Sequence, residues 1–259
     1  MTVRNLYDLI ESRLPPLNVE GIDSDGIHTI PNPDKEVCRV LIALDPYEKA
    51  VSEAIDGRYD VLITHHLLFW GEPVPNTSPE NWYNRLMEAG IASFSFHIRL
   101  DKICGGVNDI LAEKLALKNV EPFDEPDIDG LGRIGDLEAP MTVRKFAEYV
   151  KLVLNAPTVT YTELPDNRLI KRVAVLGGSA SDAISSAAFA GADAIVGGEF
   201  KHHSYGYASM ECGGRGIAII EAGHYHTEFP VCQRLYDLVK ELIPGAEINI
   251  LPCNNTFYI

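Results

Sequence analysis

Apolar residues recur along the chain in patterns that predict buried strands and amphipathic helices. Continuous apolar runs at 40–44 and 173–176 are rich in β-branched residues and end in turn-forming residues, which predicts strands. Each run is followed by a helical pattern and then by a second short apolar run. Strand, helix and strand in this order are typical of α/β folds with parallel strands.

The two strand–helix–strand segments resemble each other in sequence. The segment "RVLIALDPYEKAVSEAIDGRYDVLIT" from Arg39 aligns without a gap on "RVAVLGGSASDAISSAAFAGADAIVG" from Arg172, at a constant offset of 133 positions. Asp60 and Asp193 occupy the same place before the second strand. Any two strand–helix–strand units share apolar periodicity. Periodicity alone, however, does not explain an ungapped match of 26 residues.

A similar helix opens each half of the chain. "TVRNLYDLI" at Thr2 recurs as "TVRKFAEYV" at Thr142, each with Thr at a helix N-cap position. We therefore expect an internal duplication that gives two α/β domains related by a pseudo-twofold axis. Each domain is expected to have a mostly parallel sheet. The acidic, Gly- and Pro-containing "EPFDEPDIDGLG" predicts the boundary, which gives domains at 1–125 and 126–259.

Histidines cluster after the predicted strands. Adjacent pairs occur in both halves, and "GIASFSFHIRLD" aligns with "GIAIIEAGHYHTE" so that two His-x-x-x-acid pairs match. A single histidine at a strand end is more often a structural residue than a ligand. A set of this size favours a functional site, because open α/β sheets bind ligands beyond the carboxyl ends of their strands. The set comprises His65, His66, His97, His202, His203, His224 and His226.

Imidazole and carboxylate side chains in one cluster indicate a divalent transition metal. Adjacent residues on an extended segment point in opposite directions, so His65 and His66 predict one ligand for each of two ions. Asp101 is expected in a turn before a helix that begins near Val107. Glu228 is expected at a similar junction in the second half. A Glu bridging two ions would complete a dinuclear site in the cleft between the domains.

Other polar residues near the strand ends are weaker candidates. His226 is expected to be exposed or to lie behind the ligands, as is His202, while Glu199 and His203 are candidates for orienting ligands or binding substrate. Asp45, after the first strand, is either an orienting group or a turn residue. The Gly-rich "LGGSASD" resembles a phosphate-binding turn but lacks both G-x-x-x-x-G-K-[ST] and G-x-G-x-x-G.

Composition excludes several classes of protein. The chain has 259 residues and a formal charge of −15, which disfavours nucleic-acid binding. Its apolar runs are shorter than a membrane span, and the N-terminal "MTVRNLYDLIESRLPP" reads as an amphipathic helix instead of a signal peptide. Five widely spaced cysteines without a C-x-x-C pair predict reduced thiols. We therefore expect a cytoplasmic protein.

Five motifs resemble, in order, the family of GTP cyclohydrolase I type 2 homologues, also called Nif-three-like or dinuclear-metal-centre proteins. They are "ALDPYEKAVSEAI", "DVLITHHLLFW", "FHIRLDKICGGVNDILA", "VGGEFKHH" and "EAGHYHTE", and the resemblance covers nearly the whole chain. It implies two related α/β domains, a two-metal cluster in the cleft between them and a ring-shaped homohexamer. By motif, the implied metal ligands are His65, His66, Asp101, His224 and Glu228.

The chain departs from the family pattern beside two of these ligands. Members commonly read T-H-H-P and H-T-N-x-D, whereas here Leu67 follows the histidine pair and Arg99 lies two residues before Asp101. The ligand positions are retained. Arg99 is expected to place a cation at the mouth of the cleft and to influence which anionic substrate is accepted.

The leading functional hypothesis is a metal-dependent hydrolase with two divalent ions, in which His97 or His203 transfers protons. Zinc, iron, manganese and nickel all suit such ligands. The cyclohydrolase activity is implied by the family name alone, because the residues indicate no guanine pocket. The alternative is a non-catalytic metal-binding, regulatory or metal-delivery protein, which the absence of a nucleotide-binding motif favours. We expect a homo-oligomer with a small-molecule substrate, and neither nucleic acid nor membrane as a partner.

Overall fold

The polypeptide forms two units, and the chain passes from the first to the second and then returns. The computed structural model describes residues 1–16, 25–70, 74–75, 77–125, 128–164, 166–210 and 216–254. Unit 1 contains the described residues of 1–103 and 231–254, and unit 2 contains those of 104–230.

Helices and strands alternate through most of the chain. The helices are α1 (Val3–Glu11), α2 (Glu48–Asp56), α3 (Ser78–Ala89), α4 (Ile98–Lys102), α5 (Val107–Lys114), α6 (Val143–Val153), α7 (Ile184–Phe189), α8 (His202–Met210), α9 (His224–Glu228) and α10 (Val231–Leu242). The strands are β1 (Gly26–Thr29), β2 (Arg39–Ala43), β3 (Val61–Thr64), β4 (Ala92–Ser95), β5 (Lys118–Glu125), β6 (Ile128–Met141), β7 (Thr160–Tyr161), β8 (Ile170–Ser179), β9 (Ala194–Glu199), β10 (Ala218–Glu221) and β11 (Glu247–Ile250).

Unit 1 is built on a sheet in the order β1-β4-β3-β2-β11. The four strands β4, β3, β2 and β11 are parallel, and β1 pairs with β4 in the antiparallel sense. Val61 at the start of β3 is in register with Val40 on one side and Ala92 on the other. Every residue of β3 and β4 is buried, as a central parallel strand covered on both faces requires.

Unit 2 is built on a sheet in the order β5-β6-β8-β9-β10-β7. Only its centre, β8-β9-β10, is parallel; the pairs β5–β6, β6–β8 and β10–β7 are antiparallel. The α/β class expected from the sequence is confirmed, but a mostly parallel sheet in this half is wrong. The reason is that β5 and β6, around the expected boundary at 121–132, form an antiparallel pair that extends the sheet.

The predicted N-caps open α1 and α6. The Thr2 hydroxyl accepts a hydrogen bond from the Asn5 backbone N–H at 3.2 Å, and the Thr142 hydroxyl accepts one from Lys145 at 3.3 Å. Each helix then buries one apolar face in its own unit, as the sequence pattern predicts. A cap of this kind contributes about 1 kcal/mol to helix stability.

In both units, an aspartate carboxylate links neighbouring parallel strands by hydrogen bonds to the backbone. Asp60, before β3, accepts hydrogen bonds from the backbone N–H groups of Cys38 and Arg39, both at 2.8 Å. Asp193, before β9, accepts them from the backbone N–H groups at positions 171 and 172, at 2.9 and 3.1 Å. Each aspartate thereby fixes the start of one parallel strand against the start of the next.

The two units divide the chain elsewhere than at 125–126. α5 and β5 belong to unit 2, since α5 contacts β6 and β8, and β5 pairs with β6. α10 and β11 return to unit 1, where β11 pairs with β2. Unit 1 therefore depends on both ends of the chain. Among the described residues, no helix is long and apolar enough to cross a membrane.

Candidate metal centre

Three histidines of unit 1 meet at the carboxyl ends of neighbouring parallel strands. His65 and His66 follow β3, and His97 follows β4. Each offers one ring nitrogen, and these three atoms lie within 4.8 Å of one another. The ring centroids are 4.9 to 5.5 Å apart. The pairing of β3 with β4 therefore converts two separate sequence motifs into one cluster of imidazoles.

Hydrogen bonds orient both rings of the His65–His66 pair. His65 is fully buried, and its Nδ1 lies 3.0 Å from the Phe96 carbonyl oxygen, to which it donates in the Nδ1–H tautomer. His66 Nδ1 lies 2.7 Å from Asp45 Oδ1. In both residues the Nε2 atom is then the one suited to a metal. A hydrogen bond at the other ring nitrogen is the usual support of a metal-binding histidine. Asp45 thus contacts His66, in accord with the orienting role considered from the sequence.

Asp101 lies in α4 and not in the turn expected from the sequence. Its Oδ1 is 3.4 Å from His65 Nε2. Two ligands that each lie about 2.1 Å from one tetrahedral ion are separated by about 3.4 Å. The spacing of these two atoms therefore fits a shared ion without rearrangement.

The two residues that depart from the family pattern are both buried. Leu67 is 5% exposed and Arg99 is 6% exposed. Arg99 is paired with the carboxylates of Glu11 and Asp25 at 2.5 and 2.8 Å. The expectation that Arg99 presents a cation to an anionic substrate is therefore wrong, because its charge is compensated inside unit 1.

A second pair of candidate ligands lies in unit 2. His224 and Glu228 are the first and last residues of α9, where a spacing of four places them on one face of the helix. His224 Nε2 is 3.0 Å from Glu228 Oε2, close to the separation of about 3.0 Å for two ligands at a right angle on one ion. Glu228 is buried, and the exposed Glu199 approaches His224 Nδ1 at 3.6 Å.

Gly178 makes room for this pair and Thr227 helps to hold it, roles that the sequence did not predict for either residue. Gly178 is the penultimate residue of β8 and has φ +67°, and a methyl group there would overlap the Glu228 carboxylate. The Gly178 N–H donates to the Thr227 hydroxyl at 3.1 Å, which ties α9 to the strand. The glycines of "LGGSASD" therefore allow α9 to approach β8 closely. The paired glycines were the signal in the sequence, where the motif resembles a phosphate-binding turn but matches neither phosphate-binding pattern.

The remaining histidines of unit 2 differ in exposure. His202 and His203 are exposed at the start of α8. His226 in α9 is half-buried, and burial lowers its pKa against the opposing effect of a hydrogen bond with the Leu154 backbone. His226 is therefore neutral at physiological pH.

Comparison with known proteins identifies the family. The model of the Duf34/NIF3 (NGG1p interacting factor 3) family matches residues 1–256. The chain is similar to a protein named GTP cyclohydrolase 1 type 2 homolog from Nostoc sp., with 32% identity over 93% of this chain and 92% of the relative. A protein of the same name from Methanocaldococcus jannaschii is also 32% identical, over 88% of this chain and 90% of the relative.

Solved structures agree in fold. The crystal structure of Staphylococcus aureus protein SA1388 matches with a TM-score of 0.85 and 25% identity, over 100% of this chain and 99% of that one. Reduced HcgD from Methanocaldococcus jannaschii matches with a TM-score of 0.78 and 30% identity, over 98% of each chain. The resemblance stated from five sequence motifs is confirmed: the chain belongs to the Duf34/NIF3 family.

Proposed function

We propose that this protein binds two divalent metal ions and uses them in hydrolysis. The observation that carries the proposal is a matched imidazole–carboxylate pair at the strand ends of each unit. Neither pair offers enough ligands for a dinuclear centre alone. We therefore propose that the two pairs, with the second histidine of unit 1, form one site in the cleft between the domains. Its ligands are His65, His66, Asp101, His224 and Glu228.

The donor chemistry of each unit fits this role. Imidazole nitrogen and carboxylate oxygen are the ligands of catalytic sites for zinc, iron, manganese or nickel. Glu228 is 4% exposed and His65 is fully buried, so water competes weakly for these atoms. Glu228 has two carboxylate oxygens and would be one of the residues that hold the divalent ions.

His97 is the residue of unit 1 best placed to move a proton. When bound, divalent ions supply Lewis acidity and make water acidic enough to act as a nucleophile near neutral pH. His97 offers a ring nitrogen in the cluster with His65 and His66, and its side chain is half-buried. It is therefore our first candidate for proton transfer to a leaving group. The exposed His203 is the second.

An internal duplication would explain why each unit carries a similar imidazole–carboxylate pair. The aspartate bonds before β3 and β9 recur at the sequence offset of 133 positions. The strand orders β1-β4-β3-β2 and β7-β10-β9-β8 also correspond, each with one antiparallel outer strand. These repeated details support descent from one ancestral α/β domain.

The decisive test is metal content followed by turnover. Purified wild type is expected to retain two divalent ions per chain after dialysis, and His65→Ala/Glu228→Ala to lose them. Glu148→Ala, which removes an exposed carboxylate from α6, serves as the matched control. Equal metal content in wild type and the double variant would refute the site.

Turnover is measured with the loaded protein on nucleotides, phosphodiesters and cyclic amides. Hydrolysis that requires metal and falls at least a hundredfold in Glu228→Gln would support the hydrolase. Stoichiometric metal without turnover would instead favour the non-catalytic metal-binding, regulatory or metal-delivery protein, which the absence of a nucleotide-binding motif already suggests.

We propose a homohexamer in the cytoplasm. Light scattering coupled to size-exclusion chromatography tests the assembly, since a hexamer of 28.5 kDa chains is readily distinguished from a monomer or dimer.

A further inference from the structure

Arg99 is the centre of a buried ion network in unit 1. Its guanidinium donates to both oxygens of Glu11, at 2.5 and 2.9 Å. It also donates to both oxygens of Asp25, at 2.8 and 3.2 Å. Arg99 therefore binds two carboxylates in bidentate geometry, one from the end of α1 and one from the residue before β1.

Asp25 connects this network to the backbone of the candidate metal centre. Its Oδ2 also accepts a hydrogen bond from the His97 backbone N–H at 3.1 Å. The Asp25 side chain is 1% exposed. One buried carboxylate thus holds both the N-cap residue of α4 and the arginine in the first turn of that helix.

α4 depends on such contacts for its position. It has five residues, and its N-cap residue His97 makes no side-chain capping hydrogen bond. Isolated helices shorter than about 12 residues are marginal in water. The orientation of α4, and with it the direction of the Asp101 side chain, is therefore set by packing and by the bonds of Arg99 and Asp25.

We propose that Arg99 is a positioning residue for Asp101, holding α4 so that the carboxylate faces His65 at the spacing of two ligands on one ion. This inference rests on the proposed metal-binding function. It assigns the Arg99 side chain to the support of a ligand and not to contact with substrate.

Hydrogen bonds within the network favour the charged forms of Arg99 and Glu11. Burial alone would lower the pKa of Arg99, but its hydrogen bonds to Glu11 and Asp25 raise it. The hydrogen bond from Arg99 in turn lowers the pKa of Glu11.

Arg99→Lys is the informative substitution. Lysine keeps the positive charge, but one ammonium cannot make two bidentate contacts as the planar guanidinium does. The variant should loosen α4 without leaving the carboxylates uncompensated. Loss of a support behind a metal ligand typically weakens metal binding by about 10- to 100-fold.

The test is a double-mutant cycle with Co²⁺ as the probe metal. Its apparent Kd is measured by competition with a chromophoric chelator for wild type, R99K, D101N and R99K/D101N. We expect R99K to weaken Co²⁺ binding by about 10- to 100-fold when Asp101 is present, and by less than about twofold in the D101N background. Arg85→Lys, at the more exposed Arg85–Glu48 pair of the same unit, is the control and should leave the Kd unchanged.

Each outcome decides the matter. Equal weakening in both backgrounds would mean that R99K acts through general stability, and would overturn the positioning role. An unchanged Kd in R99K would also overturn it. Failure of wild type to bind Co²⁺ would instead refute the proposed function itself. If R99K does not fold, Asp25→Asn replaces it in the same cycle, with the same expected loss of coupling in the D101N background.

Discussion

Gly178→Ala is predicted to remove tight metal binding while leaving the fold intact. Gly178 has φ +67°, and a methyl group there would overlap Glu228 Oε1 and lie 3.1 Å from His224 Nε2. Restoring an ordinary contact requires the carboxylate to move by about 1 Å. Metal–ligand distances tolerate only about 0.2 Å, so a displaced Glu228 would no longer serve as one of the proposed ligands. We expect at least a hundredfold weaker binding, or about 2.8 kcal/mol.

Gly191→Ala separates this effect from backbone strain. Gly191 also has a positive φ, +87°, but an added methyl group would meet nothing within 4 Å. Both variants carry the left-handed backbone cost of about 1–2 kcal/mol, which urea denaturation measures. Metal affinity, measured by equilibrium dialysis and elemental analysis, should fall only in Gly178→Ala. Wild-type affinity in Gly178→Ala, or an equal loss in both variants, would refute the reasoning.

Two further predictions concern stability and a spectroscopic signal. Asp60→Asn and Asp193→Asn should each lower the free energy of unfolding by about 1.5–3 kcal/mol in urea, since each loses a charge-assisted bond to a backbone N–H; dissimilar losses would contradict equivalent roles. Burial acts to raise the pKa of Asp60, but its hydrogen bonds outweigh this effect and lower it. The contribution of Asp60 to stability is therefore complete above its ordinary pKa of 3.8 and is lost as the pH falls through the lowered pKa of the folded state. This acid sensitivity of the unfolding free energy should diminish in Asp60→Asn. The Trp70 ring lies 5.3 Å from that of His97, so in Trp82→Phe, which leaves Trp70 as the sole tryptophan, Cu²⁺ should quench the fluorescence strongly. Equal quenching in Trp70→Phe would show that the metal binds elsewhere.

Local patterns in the sequence predicted the local structure well. The threonine caps of α1 and α6, the buried strands and the histidines at strand ends all follow from neighbouring residues. The short helices α4 and α9 were missed because five residues leave little periodicity to detect. Their one signal was the spacing of His97 to Asp101 and of His224 to Glu228, which is that of successive helical turns.

Long-range pairing decided what the sequence could not. Arg99 was expected to place a cation at the mouth of the cleft, where an anionic substrate would meet it. Its actual partners, Glu11 and Asp25, lie 88 and 74 positions away along the chain and could not be foreseen. The antiparallel half of the second sheet was likewise not predictable, because the pairing of outer strands depends on tertiary contacts and not on local sequence. The burial of a charged residue and the neighbour of an edge strand are both properties of the assembled unit.

The return of β11 to unit 1 constrains the order in which the protein can fold during synthesis. Arg39 of β2 pairs in register with Glu247 of β11, and their side chains are linked across 208 positions. At about 5–20 residues per second, a ribosome releases β11 roughly 10–40 s after β2. All strands of unit 2 emerge within that interval, so unit 2 can fold first while β2 still presents an open apolar edge. The sheet whose strands lead to His65, His66 and His97 is thus completed last. A truncation near residue 245 would remove β11 and leave β2 without its neighbour, although the histidines lie far from that position in sequence.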